Sequence, residues 1–183
     1  MTAVPQGVQL RPLAMHADQR GVLAEVYRQE WGVGQTPVQW NTVRSRANVL
    51  RGVHVHPTHA DYLVVVAGRM LLGLHDVRSD SPTRGLSALL ELAADRLQTV
   101  YVPPGVAHGF YFPEPTIYFY ALSHPWSIQD EVGCRWDDPA LGLAWPARDP
   151  IVSERDRSAG NYHEMVKAWH AARAALTSKT SAA

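Results

Sequence analysis

"RGVHVHPTHADYLVVVAG", residues 51–68, places three histidines and one carboxylate within the span from His54 to Asp61, then runs directly into unbroken apolar chain. The second half, "YLVVVAG" at 62–68, is apolar and β-branched at consecutive positions, the pattern of a strand covered on both faces. His54 and His56, two apart, project to one side if the first half is also extended. A histidine-rich strand end therefore abuts a buried strand, and the chemistry of the chain is to be sought at that junction.

On either side of this stretch the same β signal repeats. "VLAEVYR" (22–28), "VQWNTVRS" (38–45), "MLLGLHDV" (70–77), "ALLELA" (88–93), "TVYVPPG" (99–105), "GFYF" (109–112) and "TIYFYAL" (116–122) read as short strands separated by turn residues. Strands at this spacing predict a mainly β protein, a jelly-roll sandwich or barrel. "DVRSDSPTRG" (76–85) reads as a polar loop. Past Asp138 the pattern changes to Pro-rich irregular chain, then to one helix over about 162–176, where Tyr162, Met165, Val166, Trp169 and Leu176 form a stripe suited to packing on the barrel or on a neighbouring subunit. The expectation is one domain over 1–183: a jelly roll at about 18–125, an irregular segment at 126–160, the helix, and a frayed "TSKTSAA" tail.

Composition narrows the function. With 17 basic and 17 acidic residues among 183, the formal net charge is zero, and no basic run offers nucleic acid a counterion-release surface. The single Cys134 excludes an intramolecular disulfide framework and a Cys-rich zinc site. "MTAVPQGVQLRPL" lacks the apolar core of a signal peptide, and no apolar stretch nears the roughly 20 residues of a membrane span, so a cytoplasmic protein without membrane contact is expected.

The histidine cluster admits three readings. In the first, His54, His56 and Asp61 join His108 of "PPGVAH" (103–108) around a metal; this spacing resembles the motifs of metal-binding cupins, and three imidazoles with a carboxylate suit iron, manganese, nickel or zinc. In the second, an imidazole oriented by a carboxylate removes a proton from carbon beside a carbonyl, while an acid acts from the other face. In the third the cluster is structural, as expected for His16, His75, His124, His163 and His170 taken singly, although burying unpaired imidazoles at a strand start would be costly.

Seven segments in order, "DQRG" (18–21), "VQWNTVRS" (38–45), "LRGVH" (50–54), "DVRSDSPTRG" (76–85), "YVPPGVAHGF" (101–110), "WDDPALGLAWP" (136–146) and "VSERD" (152–156), resemble the dTDP-4-dehydrorhamnose 3,5-epimerases. The resemblance implies a cofactor-free, metal-free cupin jelly roll, a homodimer with swapped N-terminal strands, acting on a dTDP-linked 4-keto-6-deoxyhexose. It gives His54 the role of base, Asp156 that of orienting carboxylate, and Tyr120 that of the opposing acid, with Tyr118 the competing choice on the same face. Arg51, His108 and His56 become substrate-site residues. Arg20, Glu25, Gln39 and Asn41 become the surface for nucleotide and pyrophosphate, with Arg20 reaching the partner subunit's site; arginine's planar fork suits pyrophosphate.

Two positions depart from the family pattern. Asp61 stands where these epimerases have a lysine expected to stabilise the enolate, and Leu72 where they have an aspartate near it. A carboxylate at 61 repels an enolate unless it is protonated, paired or bound to metal. The Arg-Gly-x-His-x-His interval also resembles the related 3,4-ketoisomerases, whereas "WDDP", "WP" and "SERD" resemble the epimerases. Epimerisation is therefore the expected activity, with ketoisomerisation, metal-dependent chemistry and sugar-nucleotide binding without turnover as alternatives.

Overall fold

The computed structural model describes residues 2–180. Ten of its strands form two five-stranded antiparallel sheets. The first contains β1 (Gln9–Pro12), β4 (Gln39–Ser45), β6 (Asp61–Ala67), β9 (Gln98–Val102) and β11 (Thr116–Leu122), in the order β1-β9-β6-β11-β4. The second contains β5 (Val49–Val55), β7 (Arg69–Asp76), β8 (Ser87–Ala93), β10 (Val106–Phe112) and β12 (Val132–Gly133), in the order β12-β5-β10-β7-β8. A separate hairpin, β2 (His16–Asp18) with β3 (Gly21–Leu23), is paired only with itself.

The consecutive apolar pattern of β6 has a direct cause. Leu63 and Val65 enter the core between the sheets with Met70, Leu72, Leu74, Val100 and Phe112. Tyr62 turns to the outer face, where Val33, Tyr101, Ala121, Tyr27 and Trp31 cover it, and its hydroxyl donates to the Val26 carbonyl over 2.6 Å. The strand expected over 22–28 therefore ends at Leu23, because the chain that follows paves β6 from outside.

The jelly roll also starts earlier than expected: β1 extends the first sheet by pairing Gln9–Pro12 with β9. The irregular segment is anchored at several points. β12 pairs with β5, Ile151 bridges Val49, and Leu50 donates to the Ile151 carbonyl. Asp138 accepts from both Ala140 N and Tyr162 N, joining the "WDDP" turn to the start of the final helix.

Two helices follow, α1 (Glu154–Arg157) and α2 (Tyr162–Thr180). Met165 and Trp169 of α2 pack on Val53, Val55, Val77, Ala107, Cys134 and Leu141 behind the second sheet. Trp169 Nε1 donates to the His56 carbonyl over 3.4 Å, and Arg173 Nη1 to the Pro57 carbonyl over 3.0 Å. The helix thus braces the backbone turn that carries the histidines. It continues to Thr180, past the expected end at 176, so residues 177–180 are helical and not frayed; residues 181–183 lie outside the described residues. His75 is a satisfied core histidine, with Nδ1 by Ser87 Oγ and the Leu141 carbonyl and Nε2 by the Tyr162 hydroxyl.

Candidate active site

A cavity of about 680 Å³ is lined by both sheets: Arg51, His54 and His108 from the second, Asp61, Tyr118 and Tyr120 from the first, with Glu131, Arg155 and Asp156 from the segments that follow. Its central contact is made by His54 and Asp156, 102 residues apart, with Nε2 2.7 Å from Oδ1.

Local sequence explains how they meet. Asn48 takes a positive φ of 56°, which asparagine tolerates, and its side chain donates to the carbonyls of Arg148 and Asp149, holding the returning chain beside β5. Ser153 then caps α1 by accepting from Asp156 N over 3.1 Å. Gly52 has φ +104°, and a Cβ there would lie 2.9 Å from Gly109 Cα and from the His108 carbonyl, so only glycine fits. Its N–H donates to Asp156 Oδ2 over 3.3 Å. Burial pushes the Asp156 carboxyl up, but the bonds from His54 and Gly52 outweigh it and hold the group below the usual carboxylate range. A carboxylate at Oδ1 favours the N–H of His54 at Nε2, the tautomer that leaves Nδ1 as the lone-pair nitrogen.

Arg155 and Glu131 complete this corner, and the sequence had not singled out either. Arg155 Nη1 binds Glu131 Oε2 at 3.0 Å, while its Nη2 lies 2.6 Å from His54 Nε2 and 3.2 Å from Nδ1. A guanidinium only donates, so Arg155 and Asp156 favour opposite tautomers of the same imidazole. Burial raises Glu131, and the neighbouring His56, His54 and Arg155 reverse this to leave it lowered. The available signal was the pair Asp130-Glu131 next to the "VGCRWDDP" run.

The facing sheet supplies the phenols. Tyr118 and Tyr120 share one side of β11, their rings 6.1 Å apart. Tyr118 is buried in an aromatic stack with Phe110 and Phe112, whereas Tyr120 is only partly buried. Burial raises the pKa of both, so each keeps its proton at neutral pH.

The remaining histidines gather around Asp61. Burial pushes His56 and His108 down to about 4 and raises Asp61. Burial also disfavours charge on His59, but its bond to Asp130 and nearby carboxylates win, and it is raised. His56, His59 and Asp61 offer donor atoms within 4.8 Å of one another. Of the alternative ligand set His54, His56, Asp61 and His108, His54 is engaged by Asp156, while the donor atoms of His56 and Asp61 lie with those of His59, which the turn after β5 carries inward.

Other expected site residues fall outside this cavity. Arg20 is exposed in the β2–β3 turn, bound to Asp18 at 2.6 Å, and Glu25 pairs with Arg28. Gln39 accepts from Trp126 N and donates to Asn41, which sits opposite Tyr120 on β4. Leu72 is fully buried in the core.

A family model described as dTDP-4-dehydrorhamnose 3,5-epimerase matches residues 2–164. The chain is 34% identical over 170 residues to a dTDP-4-dehydrorhamnose 3,5-epimerase of Streptomyces griseus, covering 87% of this chain and 84% of that protein. Among solved structures, the dTDP-6-deoxy-D-glucose-3,5-epimerase RmlC of Legionella pneumophila in complex with dTDP-4-keto-L-rhamnose superimposes with a TM-score of 0.80 at 26% identity, covering 87% of this chain and 92% of that one. ChmJ, a 3'-monoepimerase of Streptomyces bikiniensis in complex with dTDP-quinovose, gives a TM-score of 0.80 at 27% identity over 93% and 98% of the two chains.

Proposed function

The chain belongs to the dTDP-4-dehydrorhamnose 3,5-epimerase family and is an epimerase of that type, and we propose that it inverts carbon beside the C4 carbonyl of a dTDP-linked 4-keto-6-deoxyhexose through an enolate. The observation that carries the proposal is the 2.7 Å contact of His54 with Asp156 in a cavity whose facing sheet presents two tyrosines. Inversion needs a proton removed from one face of the sugar carbon and another delivered to the opposite face. Base and acid on opposing sheets supply this arrangement.

In this mechanism His54 Nδ1 takes the proton while Asp156 holds Nε2–H and stabilises the imidazolium that forms. Tyr120, partly open to the cavity and protonated at neutral pH, returns a proton from the other side. Tyr118 serves as wall, its ring committed to the aromatic stack. Arg51, His108 and His56 line the sugar's end of the cavity, and the cationic groups of its lining, Arg44, Arg46, Arg51 and Arg155, balance negative charge on the substrate.

The nucleotide part of the proposal rests on the hairpin. Val22 is 59% and Leu23 63% exposed on an arm paired only with itself, a surface suited to a second copy of the chain. In such a homodimer Arg20 reaches the partner's cavity to meet pyrophosphate, and Glu25, Gln39 and Asn41 line the approach. No helix of the described residues is long and apolar enough to cross a membrane. The named relatives are epimerases, which favours inversion over ketoisomerisation or binding without turnover.

Incubation with dTDP-4-keto-6-deoxyglucose in deuterated water, read by NMR, tests the reading. Deuterium at C3, or at C3 and C5, with an inverted product is expected, and a sugar that keeps all its protons overturns it.

A further inference from the structure

Three imidazoles around Asp61 are oriented by their outer nitrogens. His56 Nδ1 lies 3.0 Å from the Asp130 carbonyl, His59 Nδ1 2.5 Å from Asp130 Oδ2, and His108 Nδ1 3.1 Å from the Val106 carbonyl. Oxygen acceptors at these positions require N–H at each Nδ1, so the neutral rings carry their lone pairs at Nε2. All three Nε2 atoms converge on one oxygen, Asp61 Oδ2, at 3.5 Å from His56, 3.8 Å from His59 and 3.5 Å from His108.

These distances are too long for hydrogen bonds, and among the described residues His59 Nε2 and Asp61 Oδ2 are buried with no hydrogen-bond partner. Donors bound to one ion at about 2.0–2.2 Å in tetrahedral geometry lie about 3.3–3.6 Å apart, close to the nitrogen-to-oxygen spacing here, and binding turns the His56 and His59 rings, stacked with centroids 3.9 Å apart, out of parallel so that both Nε2 lone pairs meet the ion. The outer shell is in place as well: Asp130 orients two of the rings, its carboxylate on His59 and its carbonyl on His56, and also accepts from Thr58 N and His59 N.

We propose that His56, His59 and Asp61, with His108 as fourth donor, bind one divalent transition-metal ion in the cavity wall, beside the His54–Asp156 pair and independent of it. Imidazole nitrogen with a single carboxylate selects zinc, iron(II), cobalt or nickel over magnesium or calcium, which prefer all-oxygen sites. The donor set carries this site whether or not the cavity takes a keto sugar. A further consequence does rest on the epimerase reading: a bound dication turns Asp61 from a charge that opposes an enolate into part of a net positive wall.

Zinc and cobalt titrations of the chelator-treated full chain, without any sugar, test the site. One equivalent of Zn²⁺ is expected by calorimetry, with a raised thermal midpoint, and Co²⁺ should give visible d–d bands of a nitrogen- and oxygen-ligated ion. His59→Gln and Asp61→Asn should each weaken binding at least tenfold, Asp130→Asn by about 10–100-fold through the outer shell, and His54→Ala by no more than a few-fold. Absence of saturable binding below millimolar metal overturns the site. So does loss of binding in His54→Ala with retention in His59→Gln, provided the melting curves show both variants folded. Because no sugar is present, metal binding without deuterium exchange sinks only the epimerase reading, and exchange without metal binding sinks only the site.

Discussion

The N–H of Gly52 donates to Asp156 Oδ2 over 3.3 Å while the other oxygen of the same carboxylate holds His54, two residues further along β5. One tripeptide thus provides both the imidazole and the backbone donor that aims its partner. Gly52→Ala places a methyl group 2.9 Å from Gly109 Cα at a φ of +104°. The variant should lose about 2–4 kcal/mol of stability through backbone strain and overpacking. An unchanged denaturant midpoint would show that the strand accommodates the side chain.

Asp156→Asn keeps the shape of the dyad but removes the charge that stabilises the imidazolium. Turnover should fall by about 10²–10⁴-fold, and the thermal midpoint at pH 7 should fall only modestly, since the ionised carboxylate is lost but the Gly52 N–H retains an oxygen acceptor. Rates of solvent-deuterium incorporation check this, and a drop below tenfold argues against Asp156 as the orienting group.

The two tyrosines make opposite predictions. Tyr120→Phe should still allow His54 to exchange the substrate proton with solvent while inversion stops. Tyr118→Phe should stay within about tenfold of the parent chain, because it loses a hydroxyl but keeps the stack with Phe112. Inversion surviving in Tyr120→Phe and lost in Tyr118→Phe would exchange their roles.

Acid stability should depend on Asp76, which accepts from Arg78, Ser81 and Thr83 and clamps the loop after β7. Burial opposes its ionisation, but these donors win and bring it to about 2. A carboxyl depressed in the folded state stabilises above its unfolded value of about 3.9 and loses that contribution as pH falls through the folded value. Asp76→Asn should therefore cost about 1–3 kcal/mol at pH 7, and the gap from the parent chain should narrow between pH 4 and 2. Thermal melts across that range measure it, and a gap that stays constant with pH would refute the linkage.

Strand identity was legible in the sequence because alternation and turn residues are local signals. β6 even announced that both its faces would be covered, although not that Tyr27 and Trp31 would do the covering. His54 and Asp156 were legible only through family motifs, since no local rule joins residues 102 apart. Asp130, Glu131 and Arg155 were missed for a physical reason. Asp130 and Glu131 lie in chain that is irregular apart from a short turn and Arg155 in the four-residue α1, and pairing of Val132 and Gly133 with β5 decides where the two carboxylates fall. His59 was seen as part of the cluster but not as a donor, because its inward aim depends on the turn after β5 and on Asp130.

His54 and Tyr120 stand on different sheets, so under the proposed mechanism the gap left for the sugar is the thickness of the sandwich itself. On the proposed reading His54 and Tyr120 are the jaws of a caliper whose opening is set by Leu63, Leu72 and Phe112, packed in the core between the sheets. A change of one methylene among them would alter the reach from base to acid without touching either, so a chain of this kind could shift which sugar carbon it inverts through residues that never meet the sugar.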